Sequence, residues 1–106
     1  MELNIDIRQA ALVQLRSTPI GEGKGVRINV QEVYQGGCGC ERVVSLVQSK
    51  TDPKDGVVCA YGVTLLMDDF AQQILGDHLI LNYAPLVGFT LATTEQTIAY
   101  GLHVKG

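Results

Sequence analysis

The sequence predicts a mainly β chain bordering on α+β: a compact antiparallel β-sandwich or squashed barrel with two short peripheral helices. Three observations lead there. Runs with strand character outnumber helical runs by about seven to two. Most connections are too short for the helical crossover that parallel neighbours need. The chain has 106 residues, 46% of them apolar, which allows one modest core and a single domain spanning 1–106.

Leu3 to Ile5 suffices only for an edge strand. Asp6 is placed to cap a first helix, with Gln9 completing a capping box. Ile7, Ala10, Ala11 and Leu15 supply its apolar stripe, and Pro19 ends it near Ser17 by disfavouring helical geometry at Thr18. Gly21, Gly23 and Gly25 make 19–25 a turn. From Val26 to Gln31 apolar and polar residues alternate strictly, which reads as a half-buried strand. Val43 to Val47 is β-branched and reads as another. Asp52-Pro53-Lys54-Asp55-Gly56 is a turn, because proline fixes φ and glycine accepts the left-handed region. Val57 to Tyr61 is a strand that Gly62 interrupts and Val63 to Met67 resumes. Asp68 or Asp69 caps a second helix through Leu75, and Gly76 stops it. Leu79 to Tyr83 is a strand broken by Pro85, Gly88 to Ala92 is the next, and Ile98 to Val104 alternates in the last. His78 falls in a loop and receives no role.

Composition excludes several classes. The net charge is −3 and the eight Lys and Arg are scattered, so the basic face of a nucleic-acid binder is missing. No stretch approaches the roughly 18 apolar residues of a membrane span. Met1-Glu2-Leu3-Asn4 lacks the basic start and apolar run of a signal peptide, so the expected location is cytoplasmic. There the three cysteines are reduced, and an odd count argues further against a disulfide framework. No serine–histidine–acid set or Walker loop is present. Gly21-x-Gly-x-Gly25 precedes a strand, outside the context a dinucleotide fingerprint needs. The chain is therefore not expected to be an enzyme.

The chemistry concentrates in Gly36-Gly37-Cys38-Gly39-Cys40. Glycines let the backbone turn tightly, so two sulfurs spaced by one residue can converge. Thiolates are ligands for soft and borderline metals, including iron in iron–sulfur centres. Such a cluster usually takes four thiolates, so three per chain require a second chain or a non-cysteine ligand. The bland alternative is that both cysteines fill apolar space. Cys59, in phase with Val57 and Tyr61, reads first as a core cysteine and otherwise as a third ligand. His103 reads first as an exposed histidine and otherwise as a ligand. The candidate metal ligands are thus Cys38, Cys40, Cys59 and His103. Asp68-Asp69 reads as a helix cap, and Asp52 with Asp55 as a turn, with no ion assigned to either.

The order of these segments resembles the HesB/IscA family, the A-type carriers of iron–sulfur cluster biogenesis. Four stretches carry the likeness: Ile5-Asp6-Ile7 with Ala10, Ala11 and Leu15; Val26 to Val30 followed by Gly36-Gly37-Cys38-Gly39; Gly62-Val63 through Met67-Asp68 and Leu75-Gly76; and Leu79 to Tyr83 with Gly88-Phe89. The resemblance implies a HesB-like sandwich, often a homodimer, that binds iron or an iron–sulfur cluster and passes it to apo-proteins. The first family cysteine carries over onto Cys38. The family's C-terminal Cys-Gly-Cys has no counterpart: Tyr100 and Leu102 stand near that place, and Cys40 is an extra thiol. The expected function is cluster assembly or transfer, with assembly or acceptor proteins as partners. The alternatives are a metal-free interaction module and, behind it, a thiol redox sensor.

Overall fold

The computed structural model describes residues 3–34, 40–76 and 78–105, with the backbone alone for Val33, Tyr34 and Cys40. Among these, nine strands and two helices run in the order β1 (Asn4–Ile7), α1 (Gln9–Ser17), β2 (Lys24–Tyr34), β3 (Cys40–Lys50), β4 (Gly56–Ala60), β5 (Val63–Met67), α2 (Asp69–Leu75), β6 (His78–Ala84), β7 (Gly88–Ala92), β8 (Thr97–Leu102) and β9 (Val104–Lys105). They form two sheets, β1-β6-β7-β8 and β4-β5-β2-β3-β9, and neither closes into a barrel. The expected β-rich architecture is present.

The pairing is mixed where antiparallel pairing was expected. β1 pairs with β6, β2 with β5 and β3 with β9 in parallel. The four other pairs are antiparallel. Short connections do join antiparallel neighbours here, but the parallel partners are far apart in sequence, so loop length carried no information about them.

One continuous core joins both sheets and both helices. Val26, Ile28 and Val30 from β2, Leu46 from β3, Leu65 and Met67 from β5, Leu79 and Leu81 from β6, and Phe89 and Leu91 from β7 meet Ala11 and Leu15 of α1 and Ala71 of α2. Removal of this apolar surface from water is the main force holding the layers together. The alternation read in β2 is realised, with Arg27 and Asn29 on the other face only partly covered.

Four local readings change. Asp6 belongs to β1 and caps nothing; α1 starts after Arg8, which offers no side-chain cap. Parallel pairing of Asp6 with Ile80 holds that residue extended and overrides its capping tendency. Gly62 does not interrupt one strand. Tyr61 (φ 52°) and Gly62 (φ 82°) are both left-handed and reverse the chain, so β4 and β5 form a hairpin closed by Ala60 and Val63. His78 opens β6 instead of lying in a loop. The last alternating run splits: β8 lies in the four-stranded sheet and β9 in the five-stranded one. Gly101 (φ 68°) and His103 make the passage between them. The reading of α2 stands unchanged. The Asp68 carboxylate accepts from the Ala71 N–H at 2.8 Å, and Gly76 ends the helix at φ 85°.

Candidate functional site

The glycine-rich stretch that carries Cys38 links β2 to β3 in the chain. Their ladder runs unbroken from Lys24↔Lys50 to Tyr34↔Cys40. Cys40 is therefore the first residue of β3, at one extreme of the longest hairpin in the molecule. Cys38 and its flanking Gly36, Gly37 and Gly39 lie outside the described residues.

The topology separates the other candidate ligands from Cys40. Cys59 pairs with Thr64 in the β4–β5 hairpin, and Leu65 pairs with Val26. Cys59, Thr64 and Gly25 thus share a row near the other extreme of the sheet. From Gly25 to Tyr34, β2 runs about 30 Å at roughly 3.3 Å per residue. His103 precedes Val104, which pairs with Leu46. That row stands about 20 Å along β3 from Cys40 by the same rise. Among the described residues, no three His, Cys, Asp or Glu side chains gather as a metal-holding group.

Cys59 is exposed, not a core cysteine. Its Sγ lies 3.7 Å from the Thr64 hydroxyl. Its neighbours in phase, Val57 and Tyr61, are 43% and 78% exposed. The shared face was legible, but not which face it was. Val58 and Ala60 are also apolar, so alternation alone did not distinguish inside from outside. His103 is exposed as expected, and its ring packs beside Gly88, where a Cβ would stand 3.1 Å from Cε1 and 2.9 Å from the Leu102 carbonyl oxygen. Gly88 has φ 99°, so both its conformation and its close neighbours require glycine. Leu102 pairs with Phe89 and packs against the core, whereas Tyr100 is 76% exposed.

The two ends of the β2–β3 ladder differ electrostatically. Near the Cys59 row, Arg27 donates to both oxygens of Asp55 at 2.8 and 2.6 Å, to the Ser49 hydroxyl at 3.1 Å and to the Lys50 carbonyl at 3.1 Å. The two side chains are only 14% and 2% exposed. Asp55 also accepts from the Asp52 N–H at 2.7 Å. The Arg27 hydrogen bonds hold the Asp55 carboxyl below the usual carboxylate range against the opposing cost of burial, and Asp55 raises the Arg27 guanidinium in turn. Sequence reading took Asp55 as a turn residue only. Arginine on the polar face of an alternating strand gave no distinct signal, because its partner lies beyond β3 in the sequence. At the Cys40 end, Arg42 approaches Glu32 at 3.8 Å.

A groove of about 590 Å³ is lined by Asn4, Asp6, Arg8, His78 and the turn at 93–96, with none of the candidate thiols. No helix among the described residues is long and apolar enough to cross a membrane.

No protein-family model and no curated protein sequence matches this chain. Solved structures do. The chain is similar to Escherichia coli SufA, described as involved in biosynthesis of iron–sulfur clusters, at 18% identity and a TM-score of 0.54 over 91% of both chains. It is also similar to IscA solved with the [2Fe-2S] cluster, at 20% identity and a TM-score of 0.52 over 85% of this chain and 82% of that one. The fold of this chain is therefore HesB/IscA-like, as the sequence resemblance implied.

Proposed function

We propose that this chain binds iron or an iron–sulfur cluster through Cys38 and Cys40 and hands it to acceptor proteins during cluster assembly or transfer. The observation that carries the reading is the placement of Cys40 at the close of the β2–β3 ladder, beside the glycine-rich connection, in a fold shared with SufA and IscA. Two thiolates one residue apart can reach a common ion, since two residues of chain span at most about 7 Å. A cluster wants four thiolates. Cys59 and His103 lie too far along the sheet to complete the set within one chain. Two copies, each contributing Cys38 and Cys40, supply four.

The metal is cargo and no substrate bond is made or broken, so the role is that of a carrier and not an enzyme. An acceptor's thiolates replace Cys38 and Cys40 one at a time. Few ligands per chain keep each exchange step shallow, which suits delivery and not a structural site.

The test is anaerobic reconstitution of the apo-chain with ferrous iron and sulfide. Charge-transfer absorption in the visible is expected, with iron and sulfide bound, and its loss in Cys38→Ser and in Cys40→Ser. A colourless, iron-free wild type contradicts the proposal and favours the interaction module.

A further inference from the structure

We propose that Asp55-Gly56 is a modification site, the point at which this chain converts spontaneously to isoaspartate, and that the forked contact from Arg27 keeps it closed while the chain is folded. Asp55 is the one Asp or Asn in the sequence that is followed by glycine. Glycine sets no side chain beside its own amide nitrogen, so a neighbouring carboxyl can approach closely.

The reaction needs only water. The Gly56 nitrogen loses its proton and attacks Cγ of the neutral Asp55 carboxyl. An N–Cγ bond forms, a Cγ–O bond breaks, and the departing hydroxyl leaves with that proton as water. The resulting cyclic imide is opened by water at either carbonyl. Opening at Cγ restores aspartate. Opening at the main-chain carbonyl carbon leaves isoaspartate, whose backbone runs through Cγ at unchanged mass.

The first step requires a carboxyl that is neutral and free to swing onto the Gly56 nitrogen, and the fold opposes both. Arg27 donates to the two Asp55 oxygens at 2.8 and 2.6 Å, and the Asp52 N–H adds a contact of 2.7 Å. Swinging Cγ breaks all three. The Asp55 side chain is 2% exposed, which leaves water little room to replace those donors. The guanidinium also favours the anion, whose oxygen is a poor leaving group.

The glycine has a packing reason to stay. A Cβ at Gly56 would stand 2.9 Å from Gln72 Nε2, which donates to the Met67 carbonyl at 3.1 Å. Gly56 also pairs with Met67 as the first rung of the β4–β5 ladder. Isoaspartate would add a carbon to the backbone directly before that rung and take the carboxyl away from Arg27. The inference does not rest on the iron reading.

The test incubates wild type, Arg27→Gln and Leu91→Ala under native conditions at neutral pH, with guanidinium-unfolded wild type as reference. Isoaspartate is read by enzymatic methylation and located by peptide mapping. Folded wild type should form it at least about tenfold more slowly than the unfolded chain, and Arg27→Gln should recover most of that rate, as the loss of charge-assisted hydrogen bonds requires. Leu91→Ala, a core truncation in the other sheet, controls for lost stability and should keep the slow rate. Should Arg27→Gln fail to fold, Arg27→Lys, which keeps the charge without the fork, takes its place in the same comparison. Folded wild type as fast as unfolded, an arginine variant no faster than wild type, Leu91→Ala as fast as the arginine variant, or isoaspartate located at another residue each overturns the proposal.

Discussion

The β2–β3 ladder is held firmly near Arg27 and carries a weaker ion pair, Arg42 with Glu32, towards Cys40. Arg27 and Asp55 make a forked, largely buried pair, tied further to Ser49, Lys50 and Asp52. Arg42 and Glu32, near Cys40, are 3.8 Å apart with side chains 55% and 27% exposed. A forked charge-assisted pair fixes geometry, whereas a longer, more exposed ion pair adds little. The difference shows that one ladder can be anchored very unequally along its length. The Arg27 end locks β2, β3 and the turn after β3 into the body.

The largest expected effect comes from breaking the firm end. Asp55→Ala leaves the Arg27 guanidinium poorly hydrated and unpaired, at a cost of about 3 kcal/mol. Urea unfolding should show a lower midpoint with unchanged iron uptake. Loss of iron uptake by a folded Asp55→Ala chain would mean that the two ends are not independent.

Acid should act on the same pair more gradually. The folded Asp55 carboxyl titrates below its unfolded value of about 3.9 because Arg27 stabilises the anion. Its contribution is therefore complete above that unfolded value and is lost as pH falls through the lower folded one. The stability gap between wild type and Asp55→Asn should be flat from neutral pH down to about pH 5 and narrow below about pH 4. A gap that widens with acid would contradict the assignment.

The smallest effect should come from the Arg42–Glu32 pair. Arg42→Gln should change stability by less than about 0.5 kcal/mol, measured in the same urea titration. A loss comparable to that of Asp55→Ala would erase the contrast.

Much of this architecture is written in local signals. Asp68 and Gly76 bound α2 because capping and left-handed stops depend on nearby atoms alone. The alternation of β2 survives because one face meets a core. Other features were hidden for physical reasons. Tyr61 takes a left-handed conformation that Asn or Asp would advertise, so the β4–β5 hairpin looked like one interrupted strand. Asp6 yields its capping tendency to pairing with β6, a partner more than half the chain away. The division of the last run into β8 and β9 depends on which sheet each half meets. At the candidate site, the thiol pair was legible as a motif. The distance from Cys40 to Cys59 and His103 was not, because it follows from strand order, and strand order is set by the whole fold.

The most direct test of the proposed thiolate site compares Cys40→Ser with Cys59→Ser after anaerobic reconstitution, reading iron bound per chain. Cys59→Ser is expected to retain wild-type iron and Cys40→Ser to lose it. Equal loss in both, or loss in Cys59→Ser alone, would contradict a site confined to the Cys38-Gly39-Cys40 stretch.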